Sequence, residues 1–177
     1  MLREDDYRFL IDDSECKVLV HSPEFNDIIA AALDRADHQP AHILDIGSLG
    51  GLMAGQSVVL APATATAMDD CFWLYSSGST GYPKGVVHAQ RDMVCTGQRV
   101  TVETHGLGAE DSFFSASKLF HSYGFGNALT FPLWVGGTSL LSDRRVSPAM
   151  TFELIEELRP TAFYGVPTLY AQQLQAM

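Results

Sequence analysis

Apolar residues along the chain fall into short runs whose period switches between strand-like and helix-like. Lys17–His21 reads KVLVH, short and β-branched, and predicts a strand. It runs into Ser22-Pro23, a helix start with serine as cap and proline at the first helical position. Phe25, Ile28, Ile29, Ala32 and Leu33 follow at i, i+3, i+4, i+7 and i+8, one apolar helical stripe. His42–Ile46 predicts a second strand, with a glycine-rich loop through Gly51 behind it. Phe72–Tyr75 is an apolar strand, Gln90–Glu103 a helix, Ser112–Leu119 extended, and Asn127–Val135 a buried helix interrupted by Pro132. Gly136-Gly137 turns the chain into a strand over Thr138–Leu141. Ser147-Pro148 repeats the helix start, with Phe152, Ile155 and Leu158 on one side and Glu153, Glu156 and Glu157 on another. Pro160 stops that helix, Thr161–Tyr164 is a strand, and Pro167–Met177 opens a further helix.

Strands and helices alternating at this spacing predict a layered α/β fold, a mostly parallel sheet flanked by helices. In such sheets ligands gather beyond the carboxyl ends of the strands. No internal repeat, low-complexity tract or linker-like shift in composition breaks the 177 residues.

Hydrophobic residues make up 46% of the chain, enough for a core, and the net charge is -10 from 11 basic and 21 acidic residues. That balance argues against broad nucleic-acid or anionic-membrane binding, since both reward positive surface. A small anionic ligand stays possible, because one lysine and oriented amides can hold a phosphate. Cys16, Cys71 and Cys95 are scattered and lack metal-ligand spacing, which reads as three reduced, buried thiols in a cytoplasmic protein. The opening MLREDDYRFLIDD is acidic and polar, unlike a leader. No apolar run approaches the ~20 residues of a membrane span.

Tyr75–His88, YSSGSTGYPKGVVH, is the stretch with the most chemistry. Gly78, Gly81 and Gly85 allow positive φ and close backbone approach. Ser76, Ser77, Ser79 and Thr80 add hydroxyls beside exposed amides, and successive N–H groups in such a loop form an anion-binding concavity. Pro83 fixes φ ahead of Lys84, the only positive charge of the stretch. A polyphosphate fits. A plain Gly/Ser connection with a solvated lysine remains the alternative on composition, opposed by the apolar strand before it and Val86-Val87 after it. The Walker pattern is excluded, because Pro83 precedes the lysine and Gly85 follows it. Gly78-Ser79-Thr80-Gly81 does not make the hydrolase nucleophile elbow.

SSGSTGYPKG resembles the phosphate-binding signature of the adenylate-forming enzymes: acyl-CoA synthetases, luciferases and peptide-synthetase adenylation domains. DDCFWLYSSGSTGYPKGVVHAQ, SKLFHSYGFGNALTFPLWVGGTSLL and RPTAFYGVPTLYAQQL are similar to the benzoate-CoA ligase branch of that superfamily. The resemblance covers the chain from DDYRFLIDDS onward. It implies a carboxylate attacking the α-phosphate of MgATP, then coenzyme A attacking the acyl-adenylate, with an aromatic or cyclic acid such as benzoate as substrate. It implies that Ser77, Ser79, Thr80 and Lys84 hold the β- and γ-phosphates while Gly78 and Gly81 let the backbone close in. Phe120–Gly124 matches a second motif at a strand end, which puts His121 near the α-phosphate and the carboxylate. By the residues alone, a histidine satisfied in the core is the better reading. Tyr123 and Phe125 would wall the acyl pocket, and Gly165, Val166 and Pro167 would line the cleft after a later strand. His88 reads as structural, and His21, His38, His42 and His105 as surface residues.

The family's Tyr-Gly-x-Thr-Glu motif, whose glutamate helps hold magnesium, does not follow Tyr123-Gly124 or Tyr164-Gly165. Its ribose-binding aspartate and the small C-terminal lid with a catalytic lysine do not occur either. The expectation is therefore an internal fragment of the large N-terminal AMP-binding domain, inactive alone and open to self-association through exposed apolar surface. The competing reading is a non-catalytic nucleotide- or acyl-binding module of a split protein.

Overall fold

The computed structural model describes residues 2–76 and 81–177. Contacts divide the chain into two units, Met1–Thr64 with Tyr75–Val86, and Ala65–Leu74 with Val87–Met177.

The first unit opens with a helix that the apolar pattern does not announce, α1 (Glu4–Ser14). Glu4, Asp5 and Asp6 fill its first turn, where carboxylates meet the positive end of the helix dipole. Asp6 accepts a bond of 2.7 Å from the Arg3 amide. Strand β1 (Val18–His21) pairs in parallel with β2 (His42–Asp45), Val18 opposite His42 and His21 opposite Asp45. The helix expected at Ser22-Pro23 starts a turn late, because Pro23–Phe25 form a 3₁₀ turn before α2 (Asn26–Arg35). Ile29 and Ala32 of its stripe are buried, and α2 packs on α1.

The predicted glycine-rich loop after β2 is instead a helix, α3 (Ile46–Met53). Asp45 caps it, accepting from the Gly47 amide at 2.6 Å, which favours a helix start against the poor helix propensity of three glycines. A Cβ on Gly47 would stand 2.9 Å from the Asp45 carboxylate, so glycine is what lets the cap close.

Strands β3 (Asp70–Ser76) and β4 (Lys84–Ala89) form a two-stranded sheet of their own. In the second unit, β5 (Ser112–Ser115) lies between β6 (Thr138–Leu140) and β7 (Ala162–Tyr164), parallel to each. The expected α/β class and parallel pairing are found, divided among small sheets rather than laid out in one. Phe113 and Phe114 on the central strand are 0% and 2% exposed, the middle of this unit's core. Phe114 stacks on its register partner Phe163 with ring centroids 5.3 Å apart.

The helices of this unit depart from the sequence expectation in instructive ways. Helix α4 (Gln90–Thr96) continues through Gly97–Thr104 with wider π turns. Gly97 there lies against Trp134, where a Cβ would sit 2.6 Å from the indole. The helix expected from Asn127 starts earlier, as α5 (Ser122–Phe125). It widens over Gly126–Thr130 and resumes as α6 (Phe131–Val135). Pro132 does not interrupt it: the helix runs through, and Ser139 Oγ donates to the Ala128 carbonyl four residues before the proline. The extended run from Ser112 stops at Ser115, so Ser117–His121 is a turn rather than strand. Helix α7 (Pro148–Leu158) is capped as expected, the Met150 amide donating to Ser147 Oγ at 3.2 Å. Helix α8 (Pro167–Ala176) packs on α7.

The thiols are a correction: Cys16 and Cys71 are half-buried and Cys95 is exposed, all free. Among the described residues no helix is long and apolar enough to cross a membrane.

Helices α7 and α8 share one buried polar bond, Gln173 Nε2 donating to Thr151 Oγ1 at 2.8 Å. Thr151→Val orphans that buried amide and lowers stability by about 1–3 kcal/mol in denaturant unfolding. Thr151→Val with Gln173→Leu recovers most of the loss, because no polar partner is then left unpaired.

Candidate functional site

Ser77, Gly78, Ser79 and Thr80 lie outside the described residues, but the limbs that deliver them do not. Tyr75 ends the apolar strand β3, and its hydroxyl donates to Asp13 of α1 at 2.7 Å. On the returning limb Tyr82 stacks on Phe9 of the same helix, centroids 5.0 Å apart. Phe9 and Asp13 are i and i+4, so one face of α1 holds each end of the stretch. Gly81 between them has φ +97°, a left-handed backbone that a side chain would strain. Lys84 opens β4 and is exposed.

In the second unit, His121 lies six residues past the end of β5, at the start of α5. This corrects the strand-end placement expected for the motif. His121 is exposed rather than satisfied in the core. Its amide donates to Lys118 O at 3.1 Å, and its carbonyl accepts from the Phe125 amide at 2.8 Å. Gly124 makes this turn possible. A Cβ there would stand 2.5 Å from the Ser117 carbonyl and overlap that of Lys118 outright.

Tyr123 leans across to the end of β7, donating from its hydroxyl to Gly165 O at 3.3 Å. The Gly165 amide donates to Tyr170 Oη at 2.8 Å, so tyrosines from α5 and α8 hold both backbone groups of that glycine. A Cβ on Gly165 would meet the Tyr170 ring at 2.8 Å. Tyr164 meets Tyr123 edge-on with centroids 6.4 Å apart, and its hydroxyl lies 3.3 Å from His105 Nδ1. Val166 caps α8 and Pro167 begins it, each exposed. Tyr123, Gly165 and the start of α8 thus come together. Phe125 does not join them: its ring packs on Phe72 at 4.7 Å, lining a separate cavity of about 170 Å³ with His88 and Met93. His88 is held by Asp92 at 3.2 Å and stacks on Phe72, a structural role. His38 is not a surface residue but half-buried, its Nε2 2.8 Å from Cys16 O.

Sequence reading missed Phe9, Asp13, Tyr82 and Tyr170. Only the i, i+4 spacing of the first two hinted at a shared face. Among the described residues no group of three His, Cys, Asp or Glu is gathered as a metal site would be.

A profile of the family described as AMP-binding enzyme matches residues 1–177. The chain is 42% identical over 179 residues to a benzoate–CoA ligase of Thauera aromatica, an alignment spanning 98% of this chain and 34% of that protein. A benzoate–CoA ligase structure from Burkholderia xenovorans LB400 superposes with TM-score 0.83 at 35% identity, over 98% of this chain and 35% of that one. An anthranilate–CoA ligase solved with anthranoyl-AMP gives 0.87 at 33%, over 97% and 34%. The chain spans about a third of the length of the curated relatives it matches.

Burial holds the phenols of Tyr75, Tyr123 and Tyr164 above the ordinary 10.0, the Asp13 bond adding to the effect at Tyr75. Above pH 10 the unfolded chain releases these protons while the folded one keeps them, so stability is full below pH 10 and falls as pH rises beyond it. Absorbance titration of phenolate is expected to show Tyr75, Tyr123 and Tyr164 ionising late, with Tyr75→Phe removing one late step.

Proposed function

Since the chain belongs to the AMP-binding enzyme family, we propose that it is part of an ATP-dependent ligase that joins an aromatic carboxylate to coenzyme A. The observation that carries this is the 42% identity to a benzoate–CoA ligase across 98% of the chain. In this reading a carboxylate oxygen attacks the α-phosphorus of ATP, forming an acyl-adenylate and releasing pyrophosphate. The thiol of coenzyme A then attacks the acyl carbon and AMP leaves.

Ser77, Ser79, Thr80 and Lys84 hold the β- and γ-phosphates, and Gly78 and Gly81 bring backbone amides close. Such chemistry depends on positioning and on charge stabilised at phosphate oxygens, so a motif tied down at each limb suits it. His121 stands near the α-phosphate and the carboxylate. Tyr123, Gly165, Val166 and Pro167 wall the acyl group, with Tyr164 adding an aromatic face that suits a ring. The packing of Phe125 on Phe72 supports it as a prop for α5 rather than a substrate contact. The chain alone binds nucleotide without completing either half-reaction.

Two measurements test the reading. Calorimetric titration of the folded 177-residue chain with ATP is expected to show binding that Lys84→Ala weakens about tenfold or more. An unchanged affinity removes Lys84 from the phosphates. Pyrophosphate exchange with benzoate, hydroxybenzoates and cyclohexanecarboxylate is expected from a ligase that contains this chain and not from the chain alone. Exchange by the chain alone overturns its inactivity, and none by the ligase overturns the substrate class.

A further inference from the structure

The turn that carries His121 is fastened on one side by a residue the reading above does not use. Lys118 donates from Nζ to the carbonyls of Ser142, at 3.3 Å, and Arg144, at 3.0 Å. Those carbonyls belong to the connection between β6 and α7, so the bonds tie that connection to the turn after β5. Between these segments lies a cavity of about 260 Å³ lined by Phe114, Lys118, Phe120, Leu141, Val146 and Met150. The apolar side chains do not fill the gap, and half-buried Lys118 lines it while its Nζ bonds the far segment. Charge-assisted bonds to carbonyls are stronger and more directional than packing across a void.

The backbone of the same residue faces the other way. Lys118 O accepts from the His121 amide at 3.1 Å, and Gly124 rests against it without a Cβ. Side chain and carbonyl of one residue thus fix the turn from opposite sides, with His121 three residues on. A change at the Nζ end is transmitted to His121 through a single peptide unit and one hydrogen bond.

We infer that Lys118 is a positioning residue, which sets where His121 stands by locking the Ser117–Gly124 turn to the β6–α7 connection. The inference rests on the proposed role of His121 only for its consequence in catalysis, while the lock itself can be read without any substrate. The ring-proton and carbon signals of His121, and the amides of 117–124, are followed by NMR in the folded 177-residue chain. Lys118→Met is expected to shift or broaden these signals while those of α1 and α8 stay in place. Lys118→Arg, which can still reach two carbonyls, restores them. Should the methionine variant fail to fold, Lys118→Gln, one atom shorter and uncharged but still a donor, is expected to give an intermediate shift.

Unchanged His121 and turn signals in a folded Lys118→Met or Lys118→Gln chain overturn the inference. So does a shift spread evenly over α7 and α8, which would mark a general loss of packing. In a ligase containing this chain, Lys118→Met lowers kcat/KM for benzoate about tenfold, with recovery in Lys118→Arg. A ligase that uses no aromatic acid at all defeats the proposed function and leaves the NMR result to decide Lys118.

Discussion

The absence of one methyl group, at Gly124, governs the second unit. The first turn of α5 rests on the carbonyls of Ser117 and Lys118 at a separation that admits no Cβ. This seat places His121 at the mouth of the helix and lets its amide reach back to Lys118 O. It also turns Tyr123 toward Gly165 at the end of β7. A larger residue would have to push against backbone, which cannot rotate away as a side chain can, so the whole turn would move. The same logic is softer at Gly165, where the neighbour is the Tyr170 ring and can yield.

The first unit solves a related problem with α1. The stretch YSSGSTGYPKG is rich in glycine and serine, residue types with little apolar area to bury. Its ends are held instead, one by the Tyr75–Asp13 bond and the other by the Tyr82–Phe9 stack, each on the same face of a single helix. Burial of the Tyr75 ring and the carboxylate partner together keep its phenol protonated well past the ordinary range.

What could be read from sequence follows the range of the forces involved. Strands such as Val18–His21 and the serine-capped helix Pro148–Leu158 depend on neighbours within a few residues, and they were legible. Helix α3 was not, because composition suggested a loop where the Asp45 cap favours a helix start. Helix α1 was not, because its acidic face hides a narrow apolar one whose buried member is Ile11. The start of α5 was lost for another reason: a wide turn over Gly126–Thr130 disguises the period of the residues before Pro132. For the site, the residue types that carry charge and hydroxyls were legible in Tyr75–His88 and Phe120–Gly124. The residues that hold them were not, since Asp13 meets Tyr75 across 62 positions and Lys118 meets Arg144 across 26.

Phosphate-binding loops and histidine-bearing turns gain their chemistry from being fixed before the ligand arrives, because ordering them later would subtract from binding. Loops after strands are mobile by default, and function located there needs ties to rigid elements. Each motif in this chain has such ties from outside its own sequence: a helix face for one, and a glycine seat with a lysine strut for the other. A motif copied without them would retain its residue types and lose their placement. That is why the supporting residues Phe9, Asp13 and Lys118, none of them part of a recognisable signature, belong to the description of each candidate motif as much as Lys84 and His121 do.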